Sequence, residues 1–171
     1  MNRPMFALLC VVAVSGMARA DESWLTFSDP GGGFHVDLPG TPSVDHATSK
    51  AGDGSDVITT TYDVGRTGYE LTLADTDMAR FQVESGAALD GGVSGVKGTL
   101  VTIVSDTICN LDGQVGREVI GLDKDGDTMD DRLFFVGGHL YQAMTVLPKD
   151  PDAASLAAIK QFRDSYHLTA K

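Results

Sequence analysis

The chain has 171 residues, with 13 Lys and Arg against 24 Asp and Glu, and 42% of its residues are hydrophobic. That length and composition suit one globular domain with its own hydrophobic core and argue against wholesale disorder. A net charge of −11 argues against nucleic acid as a partner, and no apolar run approaches the roughly eighteen residues of a membrane span.

The first twenty residues have the pattern of a secretory signal peptide. Arg3 supplies a positive start, residues 6–14 an apolar stretch, and Ala18-Arg19-Ala20 the small residues that signal peptidase reads. We predict cleavage after Ala20, which leaves residues 21–171 as a single exported domain, periplasmic or secreted, with no membrane insertion. Because the segment carries two basic residues and no acidic one, the mature chain would have a net charge of −13.

The mature chain would retain Cys109 as its single cysteine, which rules out an intrachain disulfide. Cys109 follows an apolar run from Leu100 to Ile108, and no Lys, Arg or His stands beside it in sequence to activate the thiol. We therefore expect a buried, unreactive side chain.

Two β-hairpins are predicted in the first half of the chain. Residues 24–27 and 34–38 flank the Pro/Gly turn 29–33, and residues 57–64 and 69–73 flank the turn 65–68. The second hairpin alternates strictly, with Tyr62 and Val64 on one face of its first strand.

Residues 77–98 combine helical spacing with many glycines. Met78, Phe81, Leu89 and Val93 favour a helix, although each glycine weakens it by about 1 kcal/mol relative to alanine. Glycines at 92, 95 and 98 would form a strip that lets the helix lie close to a sheet. No phosphate-binding glycine motif is present, so the strip is interpreted as a packing feature.

Four strands and a helix are predicted in the second half. The strands cover residues 99–108, 117–122, 132–136 and 139–147, and residues 166–168 form a last extended piece. The helix starts with Asp150 as its cap and Pro151 in its first turn. Its apolar face comprises Leu156, Ile159 and Phe162.

The predicted order of strands, helix, strands and helix is typical of an α+β fold, with a mostly antiparallel sheet covered by helices. The alternative is a β-sandwich with one C-terminal helix, which requires residues 78–96 to form a loop. No linker or repeat divides residues 21–171.

An ordered set of short motifs runs along nearly the whole mature chain. The set comprises Trp24, Gly33-Phe34 and Leu38-Pro39-Gly40-Thr41-Pro42, then Tyr62 and Tyr69, Ala88-Leu89-Asp90-Gly91, Val96-Lys97-Gly98, Val115-Gly116-Arg117-Glu118, Arg132, Leu140-Tyr141, and the segment from Phe162 to Leu168. The pattern resembles the PsbP-like fold, named for an extrinsic protein of photosystem II, and especially small secreted bacterial members without assigned function. The resemblance implies an α/β/α sandwich and non-enzymatic binding or assembly roles, but it transfers no ligand or site residue.

The acidic segment 123–131 is the sharpest candidate for a metal site. Alternating carboxylates suit Ca²⁺, and an EF-hand-like loop would use Asp123, Asp125, Asp127 and Asp131. The loop departs from that pattern at Thr128, where glycine is required, and at Phe134, where a bidentate Glu is required. An acidic hairpin tip with an Asp-Gly turn is therefore the favoured interpretation, and calcium binding is the alternative.

Support for catalysis in the sequence is weak. No serine stands in Gly-x-Ser-x-Gly, no HExxH is present, and the four histidines at 35, 46, 139 and 167 are far apart. The charges of Arg117-Glu118 and of Asp130-Asp131-Arg132 could pair across adjacent strands, which would be a structural use of them. A deep pocket with a His next to a carboxylate or Ser would instead indicate an unrecognised hydrolase.

The sequence therefore predicts an exported, non-enzymatic binding or assembly module that docks another envelope protein. The alternatives are a Ca²⁺- or small-ligand-binding protein that uses the acidic loop and an unrecognised hydrolase. No cofactor is predicted apart from the candidate Ca²⁺.

Overall fold

A computed structural model of the chain describes residues 23–51 and 54–169. The predicted signal peptide lies outside these residues. The helices and strands are β1 (Leu25–Ser28), β2 (Phe34–Leu38), β3 (Ser43–Lys50), β4 (Asp56–Arg66), β5 (Tyr69–Asp77), α1 (Ser85–Thr99), β6 (Thr102–Leu111), β7 (Gln114–Leu122), β8 (Thr128–Val136), β9 (His139–Leu147), α2 (Ala153–Ser165) and β10 (His167–Leu168).

The strands form a large sheet and a small one. The large sheet has seven strands in the order β3-β4-β5-β9-β8-β7-β6, and the small sheet has the order β1-β2-β10. Every neighbouring pair in both sheets is antiparallel. The predicted α+β class with a mostly antiparallel sheet is confirmed. Strands β3 and β6 are the two edges of the large sheet.

The two faces of the large sheet are covered differently. On one face, here called the α2 face, helix α2 and the small sheet bury the main core, which includes Phe34, Leu73, Phe134 and Phe162. On the other face, here called the α1 face, helix α1 packs against β7, β8 and β9. Its buried residues there contact Val119, Leu133 and Leu140.

Both predicted hairpins are confirmed, as β1–β2 and β4–β5. The alternation of the second hairpin places Tyr62, Val64, Leu71 and Leu73 in the main core, as expected from its period of two. Strand β3 was not predicted. All eight of its residues are exposed, and it carries no alternating apolar pattern that would reveal a strand.

Helix α1 confirms the helix expected within residues 77–98, so the β-sandwich alternative is wrong. The helix begins later than expected, because a short 3-10 turn at Ala79–Phe81 precedes it. The predicted glycine strip is also wrong in part. Only Gly92 faces the sheet, where an added Cβ would lie 2.6 Å from Leu133 Cδ2, whereas the spaces at Gly95 and Gly98 are open.

Helix α2 confirms the C-terminal helix with two corrections. Its N-cap is Asp152, whose Oδ1 accepts a hydrogen bond from Ser155 N at 2.7 Å, and not Asp150. Leu156 is exposed, and the buried face is formed by Ser155, Ala158, Ile159 and Phe162. Leu156 lies one residue to the side of the stripe formed by Ser155, Ala158, Ile159 and Phe162, so the apolar spacing identified the helix but not the edge of its buried face.

Candidate functional site

Exposed apolar side chains concentrate along one edge of the large sheet. Of the nine large hydrophobic side chains that are exposed in the described residues, five lie on β6 or beside it. Ile108, at 77% exposure, is the most exposed of them. We call this surface the edge patch, and its members are Val101, Ile103, Val104, Ile108 and Val115.

The register places Ile108, Ile103 and Val115 of the edge patch on the α1 face. Ile108 pairs with Arg117 and Ile103 with Gly121, which lie on the same side of β7 as the buried Val119. Val115 also shares that side, because side chains two residues apart on a strand point to the same face. These three members of the edge patch therefore lie on the same face of the large sheet as α1, outside the area that α1 covers.

Charges near the edge patch are paired with one another. Asp106, on β6, contacts Lys97 Nζ at 2.5 Å and also accepts hydrogen bonds from Arg117, which reaches Asp90 at 3.3 Å. The hydrogen bonds from Lys97 and Arg117 hold the pKa of Asp106 below its usual range. Two acidic and two basic groups thus leave this part of a strongly acidic chain close to neutral.

The acidic segment forms the turn between β7 and β8. Asp123 Oδ1 accepts hydrogen bonds from the backbone N–H groups of Asp125 and Asp127, each at 2.9 Å. Gly126 has a φ of +85°, a conformation that glycine adopts without strain. The predicted acidic hairpin tip is confirmed.

The four predicted calcium ligands do not lie together. Asp123, Asp125 and Asp127 are in the turn, but Asp131 lies on β8, 2% exposed, where its Oδ2 accepts from Gln142 Nε2 at 3.1 Å. Within residues 23–51 and 54–169, no three His, Cys, Asp or Glu side chains are arranged to hold a metal ion. Calcium binding stays a prediction, without Asp131 among the turn carboxylates.

Asp131 has an unusual environment for a carboxyl group. Its Oδ1 is buried without a hydrogen-bond partner. Burial raises the pKa of Asp131 to about 7, although the hydrogen bond from Gln142 acts in the opposite direction. Near neutral pH this side chain therefore exchanges a proton inside the fold.

Sequence reasoning missed a cluster of titratable side chains that lies at the end of the large sheet opposite the acidic turn. His139 Nδ1 lies 2.8 Å from Asp75 Oδ1, and its ring stacks on Tyr141 with centroids 5.7 Å apart. The buried Asp29 accepts from Tyr62 Oη at 3.1 Å and from a backbone N–H of its own loop. Burial raises the pKa of Asp75 despite His139, and Asp29 adds to the rise.

Another charged network connects α2 to the sheet. Glu118 Oε1 accepts from Arg132 Nε at 2.8 Å and from Arg163 Nη2 at 2.7 Å, and Arg163 also contacts Asp130. The predicted pairing between these two strands is confirmed for Glu118 with Arg132, whereas Arg117 pairs with Asp106 and Asp90 instead. Cys109, beside this network, is partly buried, and burial raises the pKa of its thiol, with Glu118 as a second cause.

The structure brings two of the four histidines together. The rings of His35 and His167 lie 5.1 Å apart across the β2–β10 ladder, and His167 Nδ1 lies 3.2 Å from Asp112 Oδ1. Burial opposes ionisation of Asp112, but hydrogen bonds from Leu168 N and His167 hold its pKa below the usual range. Sequence spacing gave no signal for this pair.

The described cavities lie away from the His139 cluster and the Glu118 network, and one of them is lined in part by Asp127 of the acidic turn. One of about 420 Å³ lies between Asp37 and α2, and another of about 170 Å³ lies near Tyr69 and Asp127. Neither α1 nor α2 is long and apolar enough to cross a membrane. Comparison with models of known protein families and with curated proteins finds no match.

Proposed function

We propose that this chain is a binding module that docks another protein of the cell envelope through the edge patch. The observation that carries the proposal is the concentration of exposed Ile and Val side chains on an open sheet edge. Contiguous exposed apolar surface is uncommon on soluble monomers and marks interaction sites. Open strand edges are also the places where other chains add to a sheet.

Covering the edge patch with a partner is energetically favourable. Full burial of a Val or Ile side chain stabilises by about 1.5–3 kcal/mol relative to exposure, and the patch members start half to three-quarters exposed. The paired charges of Asp106, Lys97 and Arg117 reduce the electrostatic cost of covering this surface. Docking therefore gains apolar burial without leaving a free carboxylate behind.

Two further expectations from the sequence belong to the same proposal. The N-terminal pattern of residues 1–20 supports export to the periplasm or beyond. The resemblance to PsbP-like proteins supports an α/β/α sandwich and a non-enzymatic assembly role. In this proposal α1 and α2 are the outer layers, and the edge of the middle layer is the docking surface.

Site-specific cross-linking tests the docking surface directly. A photoreactive amino acid replaces Ile108 in one variant and Val44, an exposed side chain on the other edge, in a matched control. We expect one saturable adduct from position 108 in intact cells and none from position 44. The identified partner, once purified, should bind the unmodified chain, lose at least tenfold in affinity with Ile108→Asp, and keep its affinity with Val44→Asp. Equal binding by both Asp variants would contradict the proposal.

An unrecognised hydrolase is the second candidate, and the pairing of His139 with Asp75 favours it. A carboxylate that orients a histidine is a recurring part of hydrolytic sites. Purified protein should then turn over a chromogenic ester or glycoside, and His139→Gln should abolish turnover while His46→Gln, on the exposed β3, has no effect. Turnover that depends on His139 would also overturn the non-enzymatic proposal.

A further inference from the structure

We propose that the partner contributes an extended segment that adds as a new strand beside β6, antiparallel to it, with Lys or Arg at its C-terminal end. The inference rests on the proposed function, because it concerns the occupant of the same edge patch. Three features carry it: an open strand edge, apolar side chains on one face of that edge, and an acidic turn at one end.

Strand β6 offers a template for strand addition. It pairs with β7 on one side, and no strand within residues 23–51 and 54–169 pairs with its other side. A register shift between Ile103 and Ser105 interrupts the ladder near its start, so Ser105–Leu111 is the continuous stretch. Because all neighbouring strands in the large sheet are antiparallel, an added antiparallel strand continues the existing geometry.

The side chains of an added strand would alternate between the two faces. On the α1 face of the continuous stretch they would lie beside Asp106, Ile108 and Asn110, of which Ile108 is 77% exposed, and Ile103 lies beyond the register shift. On the α2 face they would lie beside Thr107 and Cys109, whose surroundings are more polar because Glu118 and Arg132 are close. The segment that fits is therefore an extended one with an apolar side chain where it passes Ile108, while polar side chains suit the positions beside Asp106 and Asn110.

The charge distribution along the edge sets the direction of the segment. Val101 N donates to Leu122 O at 2.8 Å, so the acidic turn that follows Leu122 lies at the N-terminal end of β6. Its three carboxylates share one cation, Lys124, which contacts Asp125 Oδ2 at 2.5 Å. The middle of the edge is neutral and the turn at the other end carries one carboxylate, Asp112 beside His167, so the larger negative charge is at the end of the acidic turn. An antiparallel strand reaches it with its C-terminal residues, and cations there are favoured.

A second copy of this chain fits the edge less well. Two copies would bring together chains with a formal charge of −11 each, or −13 after the predicted cleavage, and would add no cation for the acidic turn. Like charges oppose association and are most effective at low ionic strength. A basic-ended partner instead gains from the same field.

Three synthetic peptides test the inference with the purified chain. The first is TVTVTVTKK, the second KKTVTVTVT, and the third TVTVTVTEE, each with blocked ends and a fluorescent label for anisotropy. We expect the first to bind about tenfold more tightly than the third at low ionic strength, with the difference falling below about threefold in 0.5 M salt. The second should lie between them. Protection of β6 amides from hydrogen exchange should accompany binding.

Variants of the chain test the apolar and the electrostatic contributions to peptide binding separately. Ile108→Asp should abolish binding of all three peptides. Asp125→Asn with Asp127→Asn should weaken TVTVTVTKK about fivefold at low salt, as expected for two surface charges. The matched control neutralises two exposed carboxylates elsewhere, Asp45→Asn with Asp164→Asn, of which Asp164 is also paired with a lysine. Asp123 is left intact because its side chain holds the turn.

The outcomes separate this inference from the proposed function. Equal affinity for the Lys-ended and Glu-ended peptides would show that the proposed charge of the segment is wrong. Tighter binding of KKTVTVTVT would show that its proposed direction is wrong. If no peptide binds while cross-linking at position 108 still identifies a partner, the strand-addition inference is wrong and the docking proposal stands. If position 108 captures nothing, the docking proposal itself fails. A chain that dimerises through β6, as seen by sedimentation and lost with Ile108→Asp, would replace the basic segment by a second copy.

Discussion

The two edge strands of the large sheet, β3 and β6, expose opposite kinds of side chain. Strand β3 presents exposed residues along its whole length, and these include Asp45, His46 and Lys50. Strand β6 presents Ile103, Val104 and Ile108, and its Asp106 is paired with Lys97 and Arg117. Charged and polar residues on an edge strand oppose pairing with other chains, whereas exposed β-branched residues favour it.

The contrast teaches that open edges in one sheet need not have one role. Strand β3 is protected by its composition, since any chain that paired with it would have to desolvate charges. Strand β6 carries one partial protection, the register shift between Ile103 and Ser105, and is otherwise open. The experiments below would break or sharpen this contrast between a protected and an available edge.

The largest expected effect concerns Asp131, which is buried in the interior and lies on neither edge strand. The folded pKa of Asp131, about 7, lies above its ordinary value of 3.8, so the folded chain binds this proton more tightly than the unfolded chain. The stabilisation is fully present below about pH 4 and is lost as pH rises through about 7. The free energy of unfolding of Asp131→Asn should therefore rise relative to that of the natural chain by roughly 4 kcal/mol between pH 4 and 8. Urea unfolding at several pH values measures this.

Its control is Asp45→Asn on the exposed edge β3, where a substitution should change the free energy of unfolding by less than about 0.5 kcal/mol. Partner or peptide docking at β6 should be the same for Asp131→Asn and the natural chain at a pH where both are folded. A pH profile of Asp131→Asn parallel to that of the natural chain would show that this carboxyl keeps its ordinary pKa in the fold.

Charging the available edge should change its surface without changing its stability. Ile103→Lys with Ile108→Lys should lower the fluorescence of a neutral hydrophobic dye such as Nile red by about half, because the apolar patch is removed. Exposed substitutions usually change the free energy of unfolding by less than about 0.5 kcal/mol. Val44→Lys on β3 is the matched control and should leave the dye signal unchanged. A similar loss with Val44→Lys would mean that the two edges do not differ.

Removing the protection of β3 should make that edge available too. His46→Val with Lys50→Val, next to Val44 on the α2 face, creates an apolar edge strand, and burial of these side chains contributes about 1 kcal/mol each. We expect weak, concentration-dependent self-association in sedimentation velocity experiments, where the natural chain stays monomeric. Strictly monomeric behaviour of the variant at all concentrations would show that composition is not what protects β3.

The smallest effect concerns the charges that neutralise the edge patch. Asp106→Asn should destabilise the chain by about 1 kcal/mol at pH 7, because the ion pairs with Lys97 and Arg117 are partly exposed to solvent. Since the folded pKa of Asp106 is depressed, this stability is present above the unfolded pKa and is lost as pH falls through the folded value. Thermal unfolding at pH 7 and at successively lower pH below 4 measures it, and the difference from the natural chain should shrink as the pH falls. A constant difference would mean that the ion pairs are not its cause.

Local sequence patterns predicted much of the fold. The β1–β2 and β4–β5 hairpins, β9 and α2 follow from alternation, helical spacing and turn residues, which act between residues close in the chain. The same reasoning missed β3, because its residues are polar on both faces and its pairing with β4 alone makes it a strand. It also shifted the cap of α2 to Asp150, since Asp150 and Asp152 both flank the proline and sequence does not distinguish them.

The candidate site depended more on long-range structure. Cys109 follows a largely apolar run that begins at Leu100, and the sequence predicted burial of Cys109. Only the order of strands in the sheet places this run at an edge, where Ile108 is exposed and Cys109 is partly buried. The cluster of Asp29, Asp75 and His139 also has no sequence signal, because the three residues come from a loop and two separate strands.

The sequence by itself therefore determined the hairpins, the helices, the acidic β7–β8 turn and the antiparallel α+β class. Each of these depends on side-chain periodicity or turn chemistry within a few residues. The tertiary structure alone decided which strands are edges, where Asp131 is buried, and which charges meet. These depend on pairings between residues far apart in the chain, whose free energies are set by the whole sheet and not by any one segment.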